Sequence, residues 1–336
     1  MHAPQLHSLS FTVTTRRIFL TATLAMTALA SCIAWGAERW PSRPITLITN
    51  SAPGGSPDVM ARELAARIGM ALGQPIVVEN VVGANGIIAM ERARRAAPDG
   101  HTFIFTHIGT IVFNPALFKV LPYDPVRDFD PVSLVMAGPM ILAASSTLGI
   151  ETFGQLLALA QRKPGTLMYG SAGIGSPGHI FFEQIKAANS LTLDHVPFKG
   201  APALMQALMG GQIPLGMEGS SSVLPLIEAG KVRPLAVTGN VRVELLPQVP
   251  TFAELGMLDI GLSWLAVMAP KGTLPEAVMA MNRELTRVLA LPDLRRSWSA
   301  LGRQVVGGPP EVLAERIRIE LPRWRTVIER ADIRPE

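Results

Sequence analysis

The sequence predicts an α/β protein of two domains, each a mostly parallel sheet flanked by helices. Three observations carry that expectation. The chain has 336 residues, and at roughly 150 residues per domain this length accommodates about two. It is 48% hydrophobic and only 17% charged, which supplies a sizeable core and excludes a charge-rich disordered chain. Short β-branched runs alternate with stretches of helical period along most of its length, the pattern of strand–helix–strand units.

Each element follows from local chemistry. A strand is read at 45–49, after which Gly54-Gly55-Ser56-Pro57-Asp58 opens a helix to about 72. Pro57 fits an early helical position, and Asp58 in the first turn suits the helix dipole. A strand at 75–79, a helix at 86–97 with basic residues near its end and a strand at 102–106 follow, with Pro98-Asp99-Gly100 as a turn. The Pro- and Asp-rich stretch 121–131 reads as irregular surface chain, and apolar runs at 132–136 and 140–144 come next. Helices are then expected at 152–162, 178–188, 201–209 and 223–229. Strands alternate with them at 166–169, 193–197, 213–217 and 234–238, and another follows at 262–268. The end is helical, at 275–290 and at 311–330, the latter expected to kink at Pro322.

The N-terminus reads as an export signal over residues 1–37. Residues 18–37 carry no charge, follow Arg16-Arg17 and end before Glu38. Thr15-Arg16-Arg17-Ile18-Phe19-Leu20 resembles a twin-arginine motif. Leu29-Ala30-Ser31-Cys32 resembles a bacterial lipobox that would lipidate Cys32, with ordinary cleavage near 35–37 as the alternative. Cys32 is the single cysteine, so an intramolecular disulfide and a thiolate metal cluster are both excluded. Without residues 1–37 the chain has 28 basic against 26 acidic residues. That balance lacks the basic stripe of a nucleic-acid binder.

Two Gly/Ser-rich segments stand at strand–helix junctions, Ser51-Ala52-Pro53-Gly54-Gly55-Ser56 and Gly173-Ile174-Gly175-Ser176-Pro177-Gly178. Each offers backbone N–H groups and hydroxyls to an anion. The second is a literal G-x-G-x-x-G, but no acid stands near the expected 20 residues downstream except Asp194, at the start of a strand, which argues against a dinucleotide. Catalytic patterns are poor: Ser176 lacks the glycine two residues before it that a nucleophile elbow needs. His101, His107, His179 and His195 show no metal-ligand spacing. Asp58 and Arg62, at i and i+4, read as a helix-surface ion pair. The chain reads as built to hold a ligand, with no cofactor, no metal and no machinery to transform what it holds.

Taken together, many short motifs carry a resemblance. They include Trp40-Pro41-Ser42-Arg43-Pro44-Ile45, Gly54-Gly55-Ser56-Pro57-Asp58 with Ala61-Arg62, Val78-Glu79-Asn80 and Gly83-Ala84-Asn85-Gly86. Ala97-Pro98-Asp99-Gly100-His101-Thr102, Leu121-Pro122-Tyr123-Asp124-Pro125 and His195-Val196-Pro197-Phe198-Lys199-Gly200 continue the series. Glu228-Ala229-Gly230-Lys231-Val232-Arg233-Pro234 and Val249-Pro250-Thr251-Phe252-Ala253-Glu254-Leu255-Gly256 complete it. In this order and spacing the chain resembles, over 40–330, the Bug-type substrate-binding proteins of tripartite tricarboxylate transporters.

The resemblance implies a periplasmic, non-enzymatic two-domain binding protein of the Venus-flytrap, type II-like kind. Its first domain would comprise 38–138 plus 267–336, and its second 139–266. It implies a small organic carboxylate as ligand and a tripartite-type membrane permease as partner. By position it implies ligand contacts from Ser51, Ala52, Gly54, Gly55 and Asp58 in the first loop, and from Thr106, His107 and Thr110 after the third strand. Ser171, Gly175, Ser176 and His179 would contribute from the second Gly-rich loop, and Glu218 and Ser220 after the strand at 213–217. Where the family usually has Pro and then an aromatic, this chain has Asn50-Ser51, and Glu218 stands where Asp is common. An alternative role on the same scaffold is a periplasmic adaptor that senses its ligand for a two-component receptor kinase.

Overall fold

A computed structural model describes residues 40–257 and 260–335. The expected export signal and Cys32 lie outside the described residues. The chain divides into Met1–Ser42 and the unit Arg43–Glu336, which carries both sheets. No helix among the described residues is long and apolar enough to cross a membrane.

The first sheet has the order β11-β4-β10-β3-β1-β2. Its members are β1 (Ile45–Thr49), β2 (Ile76–Asn80), β3 (Thr102–His107), β4 (Phe129–Gly138), β10 (Ser263–Pro270) and β11 (Gln304–Val305). The second has the order β7-β6-β8-β5-β9, built from β5 (Met140–Ser145), β6 (Leu167–Ser171), β7 (Leu193–Pro197), β8 (Leu215–Gly219) and β9 (Val232–Val237). Helices α1 (Ser56–Leu72), α2 (Ile87–Arg94) and the short α3 (Asn114–Leu117) flank the first sheet. The second carries α4 (Phe153–Arg162), α5 (Pro177–Ala188), α6 (Ala201–Met209) and α7 (Ser220–Glu228). The chain ends with α8 (Pro275–Leu289), α9 (Pro292–Ala300) and α10 (Pro310–Arg330).

Strand–helix alternation produces parallel pairs where a helix makes the crossover: β1 with β2 and β3, and β6 with β7 and β8. The remaining pairs are antiparallel, β10 with β3 and β4, β11 with β4, and β5 with β8 and β9. Both sheets are therefore mixed, because the strands that carry the chain between them run against their neighbours. Pro139 alone separates β4 in the first sheet from β5 in the second. The return is complete by Ser263, which pairs with Gly138, and Leu265 pairs with His107. Residues 263–266 therefore lie in the first sheet, ahead of the expected boundary at 267.

Two further differences from the sequence reading lie near the sheets' edges and the C-terminal helix. Helix α9 and strand β11 occupy a segment left without elements, and a π-helical turn, Gly109–Phe113, leads from β3 into α3. Helix α10 spans Pro310–Arg330 with Pro322 inside it, as the sequence reading has it. It is held by packing: Trp324, fully buried, meets Phe113 edge-on at 4.9 Å and Phe181 at 5.2 Å. Those partners come from the π-helical turn and from α5, so one aromatic cluster ties both sheets to the C-terminal helix. The buried indoles of Trp264 and Trp298 donate to Glu320 and Glu63 at 2.9 and 3.0 Å, which removes the cost of burying an unpaired N–H.

Candidate ligand-binding site

Between the sheets lies a cavity of about 620 Å³. One wall is the loop between β1 and α1, with Asn50, Ser51, Ala52 and Ser56, together with His107 at the end of β3. The facing wall comprises Gly173, Ile174, Ser176, Phe198, Lys199 and the segment Glu218–Ser221. The crossing segments close its back with Gly138, Pro139, Ser263 and Leu265, joined by Arg303 from the turn after α9.

The two Gly-rich loops have the same backbone design. In the first, Gly54 takes φ +77°, Gly55 donates to Ala52 O at 3.0 Å, and Asp58 accepts the Gly54 N–H at 2.9 Å. In the second, Gly175 takes φ +76°, Ser176 donates to Gly173 O at 3.1 Å, and His179 Nδ1 accepts the Gly175 N–H at 3.0 Å. The helices start from near-identical N-caps, Gly55 at φ −68°, ψ 156° and Ser176 at φ −63°, ψ 156°. A positive φ suits glycine at Gly54 and Gly175, since a side chain there is strained. In both loops the third residue of the helix reaches back four positions to lock the turn.

Asp58 is braced further by Asn80 at 2.8 Å and Arg62 at 2.9 Å, and Asn80 also holds Ser51 O at 2.9 Å. Burial opposes ionisation of Asp58, but hydrogen bonds from Arg62, Asn80 and the Gly54 N–H outweigh it and hold the carboxyl below its usual range. The Asp58–Arg62 pair is thus a loop brace as well as a helix pair.

Behind His107 runs a closed polar chain. Its Nδ1 accepts the Gly109 N–H at 3.0 Å, and its Nε2 stands 2.8 Å from Asn50 Nδ2. That amide lies 3.0 Å from the Thr106 hydroxyl, which is 2.7 Å from Thr110, and Thr110 donates to His107 O at 2.9 Å. Burial lowers His107 to about 4, so the ring is an uncharged wall at neutral pH. Asn50 fills this position with an amide held on both sides.

In the second loop His179 stacks on His195 at 4.1 Å, and burial lowers them to about 4 and about 3. Ser171 and His195 form a serine–histidine pair 2.7 Å apart. Ser171 is fully buried and off the cavity, so the pair is out of reach of a bound molecule. Among the described residues no group of three His, Asp, Glu or Cys side chains gathers to hold a metal.

Three charged residues line the cavity, Lys199, Glu218 and Arg303. Glu218 accepts its own neighbour's N–H, Gly219, at 2.9 Å, and burial pushes its carboxyl up to about 7 despite that bond. Arg303 is 8% exposed and donates to Ser56 Oγ at 2.8 Å. Burial draws it down to about 10, and it is still cationic at neutral pH. Ser221 reaches the same Ser56 hydroxyl at 2.8 Å, linking α7 to α1, while the Ser220 hydroxyl donates to Leu301 O.

Of the expected ligand contacts, Ser51, Ala52, His107, Ser176, Glu218 and Ser220 line the cavity. Gly54, Gly55, Asp58, Thr106, Thr110, Ser171, Gly175 and His179 do not, and they stand behind it as the frame that shapes the two loops. The glycine N–H groups anticipated as ligand donors are already engaged, by Asp58, Ala52 O and His179. Among the described residues the N–H groups of Ala52, Ser56 and Ile174, which do line the cavity, have no protein acceptor. Ser56, Lys199, Ser221 and Arg303 also line the cavity and were not among the expected contacts. Ser56 and Lys199 lie within segments the sequence singled out, but nothing local singles out Arg303.

The profile of the tripartite tricarboxylate transporter family receptor matches residues 60–333. BugT of Bordetella pertussis (strain Tohama I) is 33% identical over 294 residues, 87% of this chain and 90% of that protein. An R. palustris protein solved with adipate has a TM-score of 0.85 at 32% identity, covering 88% of this chain and 100% of that one. MatC from Rhodopseudomonas palustris, with bound malate, has a TM-score of 0.82 at 32% identity, covering 86% of this chain and 100% of its own. With two α/β sheets joined by crossing strands around one cavity, and a family match that spans both, this chain is a two-domain binding protein that belongs to the Bug-type receptors of the tripartite tricarboxylate transporter family.

Proposed function

We propose that this chain is an exported, periplasmic solute receptor that closes on a small organic carboxylate and delivers it to a tripartite-type membrane permease. The observation that carries the reading is the pairing of two equivalent loops across one cavity. Each begins a helix, and together they leave the Ala52, Ser56 and Ile174 N–H groups unspent beside the hydroxyls of Ser51 and Ser176. Such donors at helix starts suit a carboxylate. The R. palustris relatives with adipate and malate support that ligand class. Closure is a hinge motion about Pro139 and the chain entering Ser263. The first domain, 38–138 with the C-terminal segment, moves against the second in this motion.

A thermal-shift screen of the chain from Glu38 onward tests the ligand class. A compound at 100 times its dissociation constant adds about 2.7 kcal/mol of stability. Stabilisation by carboxylates and not by their amides or alcohols is the expected outcome; a shift with the neutral analogues alone would sink the proposal. Deleting the gene is expected to abolish uptake of the stabilising compound, and unaltered uptake removes the permease from the scheme.

A further inference from the structure

Resting on that reading, we infer that Arg303 is a second anion subsite at the back of the cavity, and that the ligand is a dicarboxylate whose far carboxylate pairs with its guanidinium. Two other buried charges are matched by side chains: Asp58 has Arg62, and Glu320 has Arg316 and the Trp264 N–H. Arg303 is buried to a similar degree, yet no carboxylate among the described residues lies within ion-pair distance of it. Glu63 is engaged by Arg67 and the Trp298 N–H, and Glu218 bonds back to Gly219. The guanidinium is held by Ser56 Oγ at 2.8 Å and lies 5.9 Å from the Trp298 ring centroid. That fixes the side chain while engaging one of its five N–H donors. A fixed, buried cation without a counter-ion on a cavity wall is half of a charge-assisted pair. The bound anion supplies the other half. The Ala52, Ser56 and Ile174 N–H groups are then left for the near carboxylate.

Calorimetry with two series of equal chain length separates the outcomes: succinate, glutarate and adipate against butanoate, pentanoate and hexanoate. The wild-type protein is expected to bind its best dicarboxylate at least about tenfold more tightly than the monocarboxylate of the same length. R303Q is expected to weaken the dicarboxylate about 10–100-fold and to bring the ratio near one. R303K, which keeps the charge and loses the fork, is expected to fall between. Equal affinity of wild type for both series overturns the inference and leaves the receptor reading standing. An unchanged dicarboxylate preference in R303Q overturns it as well, and so does an equal loss of both series. Binding of neither series by wild type overturns the carboxylate reading, and the inference with it. Should R303Q not fold, the wild-type comparison decides alone.

Discussion

Gly178→Ala is expected to lower the melting midpoint by roughly 3–6 °C and to impair ligand binding with it. A Cβ on Gly178 would stand 2.2 Å from the Met217 carbonyl oxygen and 3.2 Å from its carbon. Neither side can yield locally, since Gly178 lies in the first turn of α5 and Met217 within β8. The helix would have to lift from the strand. Overpacking of this kind costs about 1–3 kcal/mol, here at the upper end because backbone meets backbone, and in a protein of this size each kcal/mol moves the midpoint by about 1.5–2 °C. The next residues along β8 are Glu218 and Gly219, on the cavity wall, so the displacement reaches the site. An unchanged midpoint in the variant would contradict the close approach of α5 to β8. The third glycine of the G-x-G-x-x-G pattern thus serves helix–strand packing, as it does in dinucleotide folds, with no dinucleotide implied.

Affinity for an anionic ligand should rise by up to about tenfold per pH unit as pH falls toward 7. Glu218 faces the cavity and titrates near 7 when it is empty. A bound carboxylate is a second negative charge nearby and pushes that value higher. Between the free-state value and the higher bound-state value, capture takes up a proton, so lower pH favours binding. Below about 7 both states hold the proton and the dependence flattens. His107, lowered to about 4, is neutral throughout, and Arg303, lowered only to about 10, is still largely charged at pH 9. Calorimetry from pH 6 to 9 in buffers of different ionisation enthalpy would register the proton. E218Q is expected to abolish both the uptake and the slope; a variant that keeps the slope assigns it to another group.

Much of the architecture was legible because its causes are local. Strands such as Ile45–Thr49 and helices such as Ser56–Leu72 are written in β-branched runs, Pro57 and Asp58, and both Gly-rich loops announce themselves by composition. Strand direction was not legible. That β4 and β10 pair antiparallel depends on where the chain crosses between sheets, and no residue encodes it alone. At the site the loops were found but their inner bonding was not. Gly54 and Gly175 look like free donors until Asp58 and His179 are seen to occupy their N–H groups. Arg303 is distinguished from the other arginines only by tertiary burial.

The shared design of the two loops has a consequence for how ligands are told apart. Each turn is locked by its own helix, so the disorder that a flexible loop would lose on capture is already gone in the folded protein. Under the proposed closure, the thermodynamic cost left to binding is chiefly that of bringing the two halves together, and it is common to every compound that fits. Differences in affinity within a ligand series therefore report wall contacts almost directly, with little contribution from induced ordering.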